Sequence, residues 1–351
     1  MPKSIREDYE KREDGFLAPY AVRVQNSKGR RKPEPFCSVR TLYQQDRDRI
    51  VFSTGFRRLK HKTQVFLSPL GDHYRTRLTH TLEVAEVART IARALRLNED
   101  LTEAIAMAHD LGHTPFGHSG ETVLKEIYSP HFSHAAQSLR VVDVLERHGE
   151  GLNLSHEVRD GIVKHSKGFG NILPMEAGEK AATLEGQVVR IADIIAYLNH
   201  DLDDAVRGGI IQRSQIPEDC VKILGETHAA RSATMIRDLI FNSSLEEEGF
   251  HLRMSDAVFN TMVELRQFLF DNVYRAPRVH NEFVKASKVL SELFSFFMEN
   301  ENALKQELLR LEVAYDPEQP QSRTVCDAIA SMTDRHALNL YQKIFMPTPM
   351  L

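Results

Sequence analysis

The amino-acid sequence predicts an all-α fold. Apolar residues recur three and four positions apart along several stretches, which is the spacing of one helix face. The strict alternation typical of half-buried strands is scarce. A chain of 351 residues, 42% of them hydrophobic, is long enough for a large core with an added lobe. The patterns divide it into a polar N-terminal arm (1–35), a helical core (36–215) and a helical C-terminal extension (216–351).

Composition excludes several classes of protein. The formal net charge of −4 argues against a surface that coats nucleic acid, so any anion site must come from a local cluster. The three cysteines are widely spaced and odd in number, which gives no disulfide framework and suits a reducing compartment. The N-terminus lacks the apolar segment of a secretory signal, and no run approaches the roughly 20 apolar residues of a membrane span. We therefore expect a cytoplasmic protein.

The first 66 residues are polar and rich in basic side chains. Glycines and prolines predict a flexible arm over 1–35, which could also order on a neighbouring subunit or over a ligand. A helical pattern follows over 41–66, and it ends in Arg57, Arg58, Lys60 and Lys62. Such a cluster is usually a solvated face, but beside a phosphate-handling site it would bind phosphate.

Two successive helices each present a histidine on the apolar face. In the helix predicted over 78–97, His80 lies four residues before Val84 of the inward stripe, and Arg77 lies one turn earlier. In the next helix His109 follows Ile105 by four, and Asp110 stands beside it. One such histidine alone would be a hydrogen-bonded core residue. Two on neighbouring antiparallel helices, with a carboxylate adjacent, are how helical folds build metal sites.

The segment 109–121, HDLGHTPFGHSGE, holds three histidines, an aspartate and a glutamate among glycines and a proline. His118 and Glu121 stand three apart, which places them on one helix face. A surface ion pair is the plainer interpretation, but beside the His-Asp pair we favour a catalytic dyad in which the carboxylate orients the imidazole. Of the next two histidines, His134 opens a helix and is the better candidate for the site.

A third helix is predicted over 184–205. It is apolar on most sides, so it is central, and a carboxylate on it must be paired or bound to metal. Asp193 is therefore the natural fourth ligand. Tyr197 and Asp201 follow one and two turns further along, where a substrate would sit. Two imidazoles and two carboxylates, from His80, His109, Asp110 and Asp193, suit one Mn²⁺, Mg²⁺, Ni²⁺, Fe²⁺ or Zn²⁺ ion.

At these motifs the chain resembles the HD-domain metal-dependent phosphohydrolases, and among them the bacterial dNTP triphosphohydrolases of the dGTPase branch. The blocks that carry the resemblance occur in family order: FRRLKHKTQVF (56–66), YRTRLTH (74–80), HDLGHTPFGHSGE (109–121), FSHAAQSLR (132–140) and LEGQVVRIADIIAYLNHD (184–201). One departure is Ala135, where the family commonly has asparagine.

The resemblance implies hydrolysis of a deoxynucleoside triphosphate to deoxynucleoside and intact tripolyphosphate, with one metal on the four ligands named above. It implies that His118 with Glu121 forms the catalytic pair and that His134 is a second catalytic histidine. It further implies the following substrate contacts: Arg77 for phosphate, Gln64 and Asp201 for the sugar 3′-hydroxyl, and Tyr197 under C2′. A triphosphate also needs further cations, for which Arg57 and Lys62 are candidates.

Two other functions stay open at this point. One is an HD phosphohydrolase that acts on another nucleotide. The other is a non-catalytic regulator that binds single-stranded nucleic acid through its basic arm and the 57–62 cluster. The resemblance also implies a homo-oligomer, tetramer or hexamer, and a dNTP or single-stranded DNA effector is possible. No membrane partner is expected.

Overall fold

The computed structural model of the protein describes residues 4–64, 75–166, 172–173 and 177–347. It confirms the all-α prediction, because in these residues the only strands are β1 (Ser244–Glu246) and β2 (Gly249–His251), an antiparallel pair. The helices are α1 (Ile5–Phe16), α2 (Leu42–Val51), α3 (Thr54–Arg58), α4 (Arg77–Ala94), α5 (Glu99–Ala108), α6 (His118–Ile127), α7 (His134–Arg140), α8 (His156–Lys164), α9 (Leu184–Arg207), α10 (His228–Asn242), α11 (Asp256–Leu269), α12 (Pro277–Glu299), α13 (Glu301–Arg310), α14 (Gln321–Ser331) and α15 (Asp334–Phe345). Among the described helices none is long and apolar enough to cross a bilayer.

The chain forms two compact units that interleave along the sequence. The first unit comprises Met1–Ile50, His80–His109 and Asn153–Ala276. Its centre is α9, which packs against α5, α8, α10 and α11. Gly161 on α8 allows close packing, because a Cβ there would lie 2.7 Å from Ile105 of α5.

The second unit comprises Val51–Thr79, Asp110–Leu152 and Pro277–Leu351. Its organising element is α12, which packs against α6, α13, α14 and α15. The apolar face of α12, with Leu290, Leu293 and Phe297, is buried. The boundaries predicted at residues 35 and 215 are not tested by this division and stay predictions.

The prediction of a flexible N-terminal arm is wrong for its described residues. Ser4 caps α1 by accepting from Glu7 N, and Glu13 accepts from Val24 N at 2.9 Å and from the Asn98 side chain at 3.0 Å. The buried carboxylate of Glu185 also accepts from Val22 N at 3.0 Å. These carboxylates supply acceptors to backbone that would otherwise need water, so the polar segment is ordered on the first unit.

The single helix predicted over 41–66 is interrupted. Helix α2 ends at Val51, and Ser53 begins α3 by accepting from Phe56 N at 3.1 Å. A short 3-10 turn, Leu59–His61, follows. The break arises because the Ser53 side chain offers the backbone a capping partner that ends the continuous helix. Residues 65 and 66 lie outside the described residues.

Candidate active site

Three helices of the first unit bring His80, His109 and Asp193 together. His80 lies in the first turn of α4, His109 directly follows α5, and Asp193 lies in the middle of α9. The Nε2 atoms of His80 and His109 lie 3.2 Å and 4.0 Å from Asp193 Oδ1. Both imidazoles are fully buried. The three members of the expected ligand set that lie in this unit therefore converge, as the inward stripes of the helices predict.

Backbone hydrogen bonds fix the orientation of the His109 ring. Its Nδ1 lies 2.6 Å from the carbonyl oxygen of Ala106, the residue three positions earlier. The carbonyl can only accept, so Nδ1 carries the proton and Nε2 presents a lone pair on the Asp193 side. That arrangement is typical of metal-ligating histidines.

His165 joins this cluster, and the sequence analysis missed it. It follows α8 as His109 follows α5, and its Nδ1 lies 2.6 Å from the carbonyl oxygen of Ile162. The ligand atoms of His109, His165 and Asp193 lie within 4.8 Å of one another. The signal in the sequence is a histidine three residues after the apolar Ile162, at the end of a helix. Imidazoles with a carboxylate fit a divalent transition metal, so this cluster could hold one.

Asp110, the fourth expected ligand, follows His109 in the chain and belongs to the second unit. There its carboxylate accepts from Arg77 at 2.7 Å, and both side chains are buried. His113, which the sequence analysis left without a role, lies 3.7 Å from the same carboxylate through Nε2.

Three histidines of the second unit gather near this pair. The rings of His113 and His134 stack with centroids 4.2 Å apart, and His118 approaches His113 edge-on at 5.5 Å. His113 and His134 are buried, whereas His118 keeps an exposed surface.

The histidine that Glu121 contacts differs from the one predicted. Glu121 was expected to orient His118, but its Oε2 lies 2.7 Å from Nδ1 of His134, and Lys125 binds its other oxygen at 2.9 Å. The helical spacing of His118 and Glu121 does bring their ligand atoms within 4.8 Å. Helix α6 places His118 and Glu121 on one face, but α7 brings His134 within hydrogen-bond distance of the Glu121 carboxylate. Glu121 therefore forms its hydrogen bond with His134.

The three histidines differ in proton affinity. Burial would lower the pKa of His134, but the hydrogen bond and charge of Glu121 outweigh burial and raise it. For His113 and His118, desolvation by the surrounding protein and the charge of Arg77 lower the pKa. The pKa of Glu121 is itself lowered, because the bond from His134 outweighs the opposing effect of burial. His134 is therefore the histidine that the structure favours as imidazolium.

Glycines shape the loop before α6. Gly117 has φ of +61°, and a Cβ there would lie 2.5 Å from the carbonyl oxygen of Gln64. At Gly112 a Cβ would lie 2.1 Å from Ser138 N. Only glycine fits such approaches, so the glycines of the 109–121 motif allow the loop to pack against neighbouring backbone.

Two members of the basic cluster at 57–62 donate to backbone carbonyl oxygens. Lys62 is buried, and its Nζ donates to the carbonyl oxygens of His113 and, at 2.8 Å, Ala330. Burial lowers the pKa of Lys62 to about 7. Arg58 donates to the carbonyl oxygen of Leu311. Backbone carbonyl oxygens therefore account for these donors of Lys62 and Arg58, whereas Arg57 is exposed. The phosphate-binding role of Arg57 and Lys62 stays a prediction.

The polar face of α9 continues beyond Asp193. Asp201 Oδ2 accepts from the Tyr274 hydroxyl at 2.6 Å, and burial raises the pKa of both Tyr197 and Tyr274. Gln64, in the second unit, is buried, and its backbone carbonyl oxygen accepts from Arg77 Nη2 at 3.5 Å. Tyr274 and His200 are members of this polar face to which the sequence analysis gave no role.

Two protein-family models match the chain. The model of the HD domain matches residues 77–198, and that of the phosphohydrolase-associated domain matches residues 252–343. The fold and the His/Asp cluster together define an HD-domain phosphohydrolase, a class whose members bind divalent metals.

Similar proteins refine this class. A deoxyguanosinetriphosphate triphosphohydrolase-like protein of Desulfatibacillum aliphaticivorans is 64% identical over 99% of this chain and 100% of its own. Proteins of the same name from Caldanaerobacter subterraneus and Clostridium tetani are 52% and 42% identical, each over 98% of this chain and 97% of their own. The chain belongs to the family of deoxyguanosinetriphosphate triphosphohydrolase-like proteins.

Proposed function

We propose that the protein hydrolyses deoxynucleoside triphosphates to deoxynucleoside and intact tripolyphosphate, with one divalent metal ion per subunit. The observation that carries the proposal is the convergence of His80, His109 and Asp193 in the first unit, with Nε2–carboxylate distances of 3.2 Å and 4.0 Å. Asp110 is the proposed fourth ligand because it follows His109 directly in the HD motif. The names of the related proteins support a deoxynucleotide substrate.

The donor set supports the metal part of the proposal. Two imidazoles and two carboxylates suit Mn²⁺, Fe²⁺, Ni²⁺, Zn²⁺ or Mg²⁺. When bound, such an ion polarises a phosphoryl oxygen and lowers the pKa of a coordinated water.

The leaving 5′-oxygen needs a proton, and we propose His134 as its source. The bond from Glu121 holds Nδ1, so Nε2 remains to deliver a proton, and the raised pKa of His134 favours the imidazolium. The neighbouring His118 has a lowered pKa and an exposed surface, which suit a neutral imidazole that contacts the substrate phosphate. Glu121 acts through His134 in this scheme.

Other side chains are proposed to bind the substrate. Arg77 supplies a permanent cation for the phosphates, and exposed Arg57 is a second candidate. Gln64 and Asp201 are proposed to contact the sugar 3′-hydroxyl, and Tyr197 to pack under C2′ and so exclude a ribose hydroxyl.

We further propose a homo-oligomer, tetramer or hexamer, that acts in the cytoplasm and responds to a dNTP or single-stranded DNA effector. Light scattering after size-exclusion chromatography, with and without each effector, tests the assembly. A single monomer peak under all conditions would contradict it.

The decisive experiment for the function is an activity matrix of five metals against the four dNTPs, with ion chromatography of the products. We expect tripolyphosphate and deoxynucleoside in equal amounts, and none with His109→Ala. Free phosphate, pyrophosphate or a nucleoside monophosphate as the product would contradict the proposed reaction. Absence of turnover under every condition would contradict the proposed enzyme.

A further inference from the structure

We propose that His200 is a positioning residue that fixes the tautomer of His80 and couples the Asp201–Tyr274 pair to this metal ligand. The proposal deepens the proposed function, because it rests on His80 as a ligand. It concerns only residues of the first unit.

Four side chains lie in a row, with a hydrogen bond at each end and a close charge contact, without a hydrogen bond, between His200 and Asp201. His80 Nδ1 lies 2.9 Å from His200 Nε2, and His200 Nδ1 lies 2.8 Å from Asp201 Oδ1. The other oxygen of Asp201 accepts from the Tyr274 hydroxyl at 2.6 Å. His80, His200 and Asp201 are 1%, 0% and 2% exposed, so water does not compete for these contacts.

The ring nitrogens that carry protons can be assigned by starting from His80, the proposed metal ligand. Nε2 of His80 lies 3.2 Å from Asp193 Oδ1, so a metal ion held by these two residues would take the Nε2 lone pair. The proton of His80 is then on Nδ1, which must donate to His200. His200 consequently accepts at Nε2 and carries its own proton on Nδ1, an atom that lies 2.8 Å from Asp201 Oδ1 without a hydrogen bond to it.

At the other end, the negative charge of Asp201 lies beside Nδ1 of His200. A carboxylate next to an imidazole N–H selects the tautomer and increases the basicity of the ring, as carboxylates do for metal-bound histidines. Here the carboxylate acts through a second imidazole rather than directly. Tyr274, which donates to the opposite oxygen of Asp201, sets how much negative charge remains available to His200.

This row of side chains predicts which replacements of His200 are tolerated. Glutamine offers a carbonyl oxygen that can accept from His80 and an amide N–H that can face Asp201. It therefore keeps an acceptor on the His80 side and a donor on the Asp201 side. Leucine offers neither. Loss of an outer partner of a metal ligand typically weakens metal affinity by about 10–100-fold.

The test measures Mn²⁺ binding to the metal-free full-length protein by competition with a fluorescent chelator, with no nucleotide present. We expect His200→Leu to raise the Kd about 10–100-fold and His200→Gln to stay within about 3-fold of wild type. Asp201→Asn, which keeps an acceptor but loses the charge, is expected to lie between them. Asn199→Leu is the matched control, since Asn199 neighbours His200 on α9 but bonds Arg231 at 3.0 Å; it should leave the Kd unchanged.

The possible outcomes distinguish failure of the His200 proposal from failure of the metal site. A His200→Leu protein that binds Mn²⁺ as tightly as wild type overturns this inference and leaves the proposed function standing. Equal weakening by glutamine and leucine also overturns it, because packing alone would then explain the effect. If His200→Leu does not fold, an unchanged Kd for Asp201→Asn overturns the coupling. A wild-type protein that binds no divalent ion overturns the metal site itself.

Discussion

The hydrogen bond between Glu121 and His134 can be tested by one substitution, Glu121→Gln. Glutamine keeps the shape and an acceptor oxygen but removes the charge that stabilises the imidazolium. Burial lowers the pKa of His134, and the pKa is raised because the hydrogen bond and charge of Glu121, with a smaller contribution from the charge of Asp110, outweigh burial. Without that charge, burial dominates and the pKa of His134 falls.

The size of the effect follows from the bond. A hydrogen bond to a charged group is worth about 1.5–3 kcal/mol, and one pKa unit corresponds to about 1.4 kcal/mol. The pKa of His134 should therefore fall by about 1–2 units. If His134 is the proton donor, kcat at pH values above the wild-type pKa of His134 should fall about 10–100-fold, because the imidazolium fraction falls by that factor there.

The assay is kcat at saturating dNTP between pH 6 and 9. The basic limb of the profile should move to lower pH by about 1–2 units in Glu121→Gln. The control is Glu126→Gln, an exposed acid on the same helix, which should leave the profile in place. If the limb stays where it is in Glu121→Gln, or if His134→Ala retains near-normal kcat while His118→Ala loses it, His134 is not the donor.

Three further predictions concern stability, each measured as the free energy of unfolding in urea. Burial lowers the pKa of Lys62 from 10.5 to about 7, so the unfolded chain holds this proton more tightly than the folded protein does. The free energy of unfolding of the wild type, relative to that of Lys62→Met, should therefore rise from pH 7 to pH 10 and stay constant below pH 7. Asp334 accepts from Phe116 N at 2.9 Å and holds the loop before α6, so Asp334→Ala should cost about 2 kcal/mol. Gly117→Ala should cost about 2 kcal/mol or more, because Gly117 has a positive φ and the added Cβ would meet the carbonyl oxygen of Gln64. Gly15→Ala, with open space around it, should be neutral or stabilising. Equal effects of the two substitutions would contradict the steric argument.

Helical periodicity was sufficient to predict the main features of the first unit. The stripes of α4, α5 and α9 place His80, His109 and Asp193 inward, and the structure confirms that these three side chains meet. Residues on the inner face of packed helices have little freedom in direction, so their spacing in the sequence carries most of the geometry.

Contacts between segments distant in sequence were not predictable in the same way. Glu121 binds His134, 13 positions away, rather than His118 on its own helix, because the turn between α6 and α7 decides which imidazole is nearer. Lys62 looked like a member of a solvated basic run. It is buried because the carbonyl oxygens of His113 and Ala330, distant in sequence, accept from its ammonium group.

Two single histidines received no role from the sequence. His165 and His200 each occur once in an apolar helical context, where a buried, hydrogen-bonded residue is the ordinary expectation. Only the packing of α8 and α9 shows that His165 adjoins His109 and that His200 bonds His80. The ordered N-terminal segment is a similar case, since its acceptor Glu185 comes from the distant helix α9.

The most direct test of the central claim is the metal content of the purified protein after equilibration with Mn²⁺ and removal of loosely bound ions. The claim predicts one ion per chain in the wild type. It also predicts that alanine at any one of His80, His109, Asp110 or Asp193 abolishes tight binding while the chain stays folded. A folded wild-type protein that holds no ion, or four alanine variants that all retain it, would contradict the account.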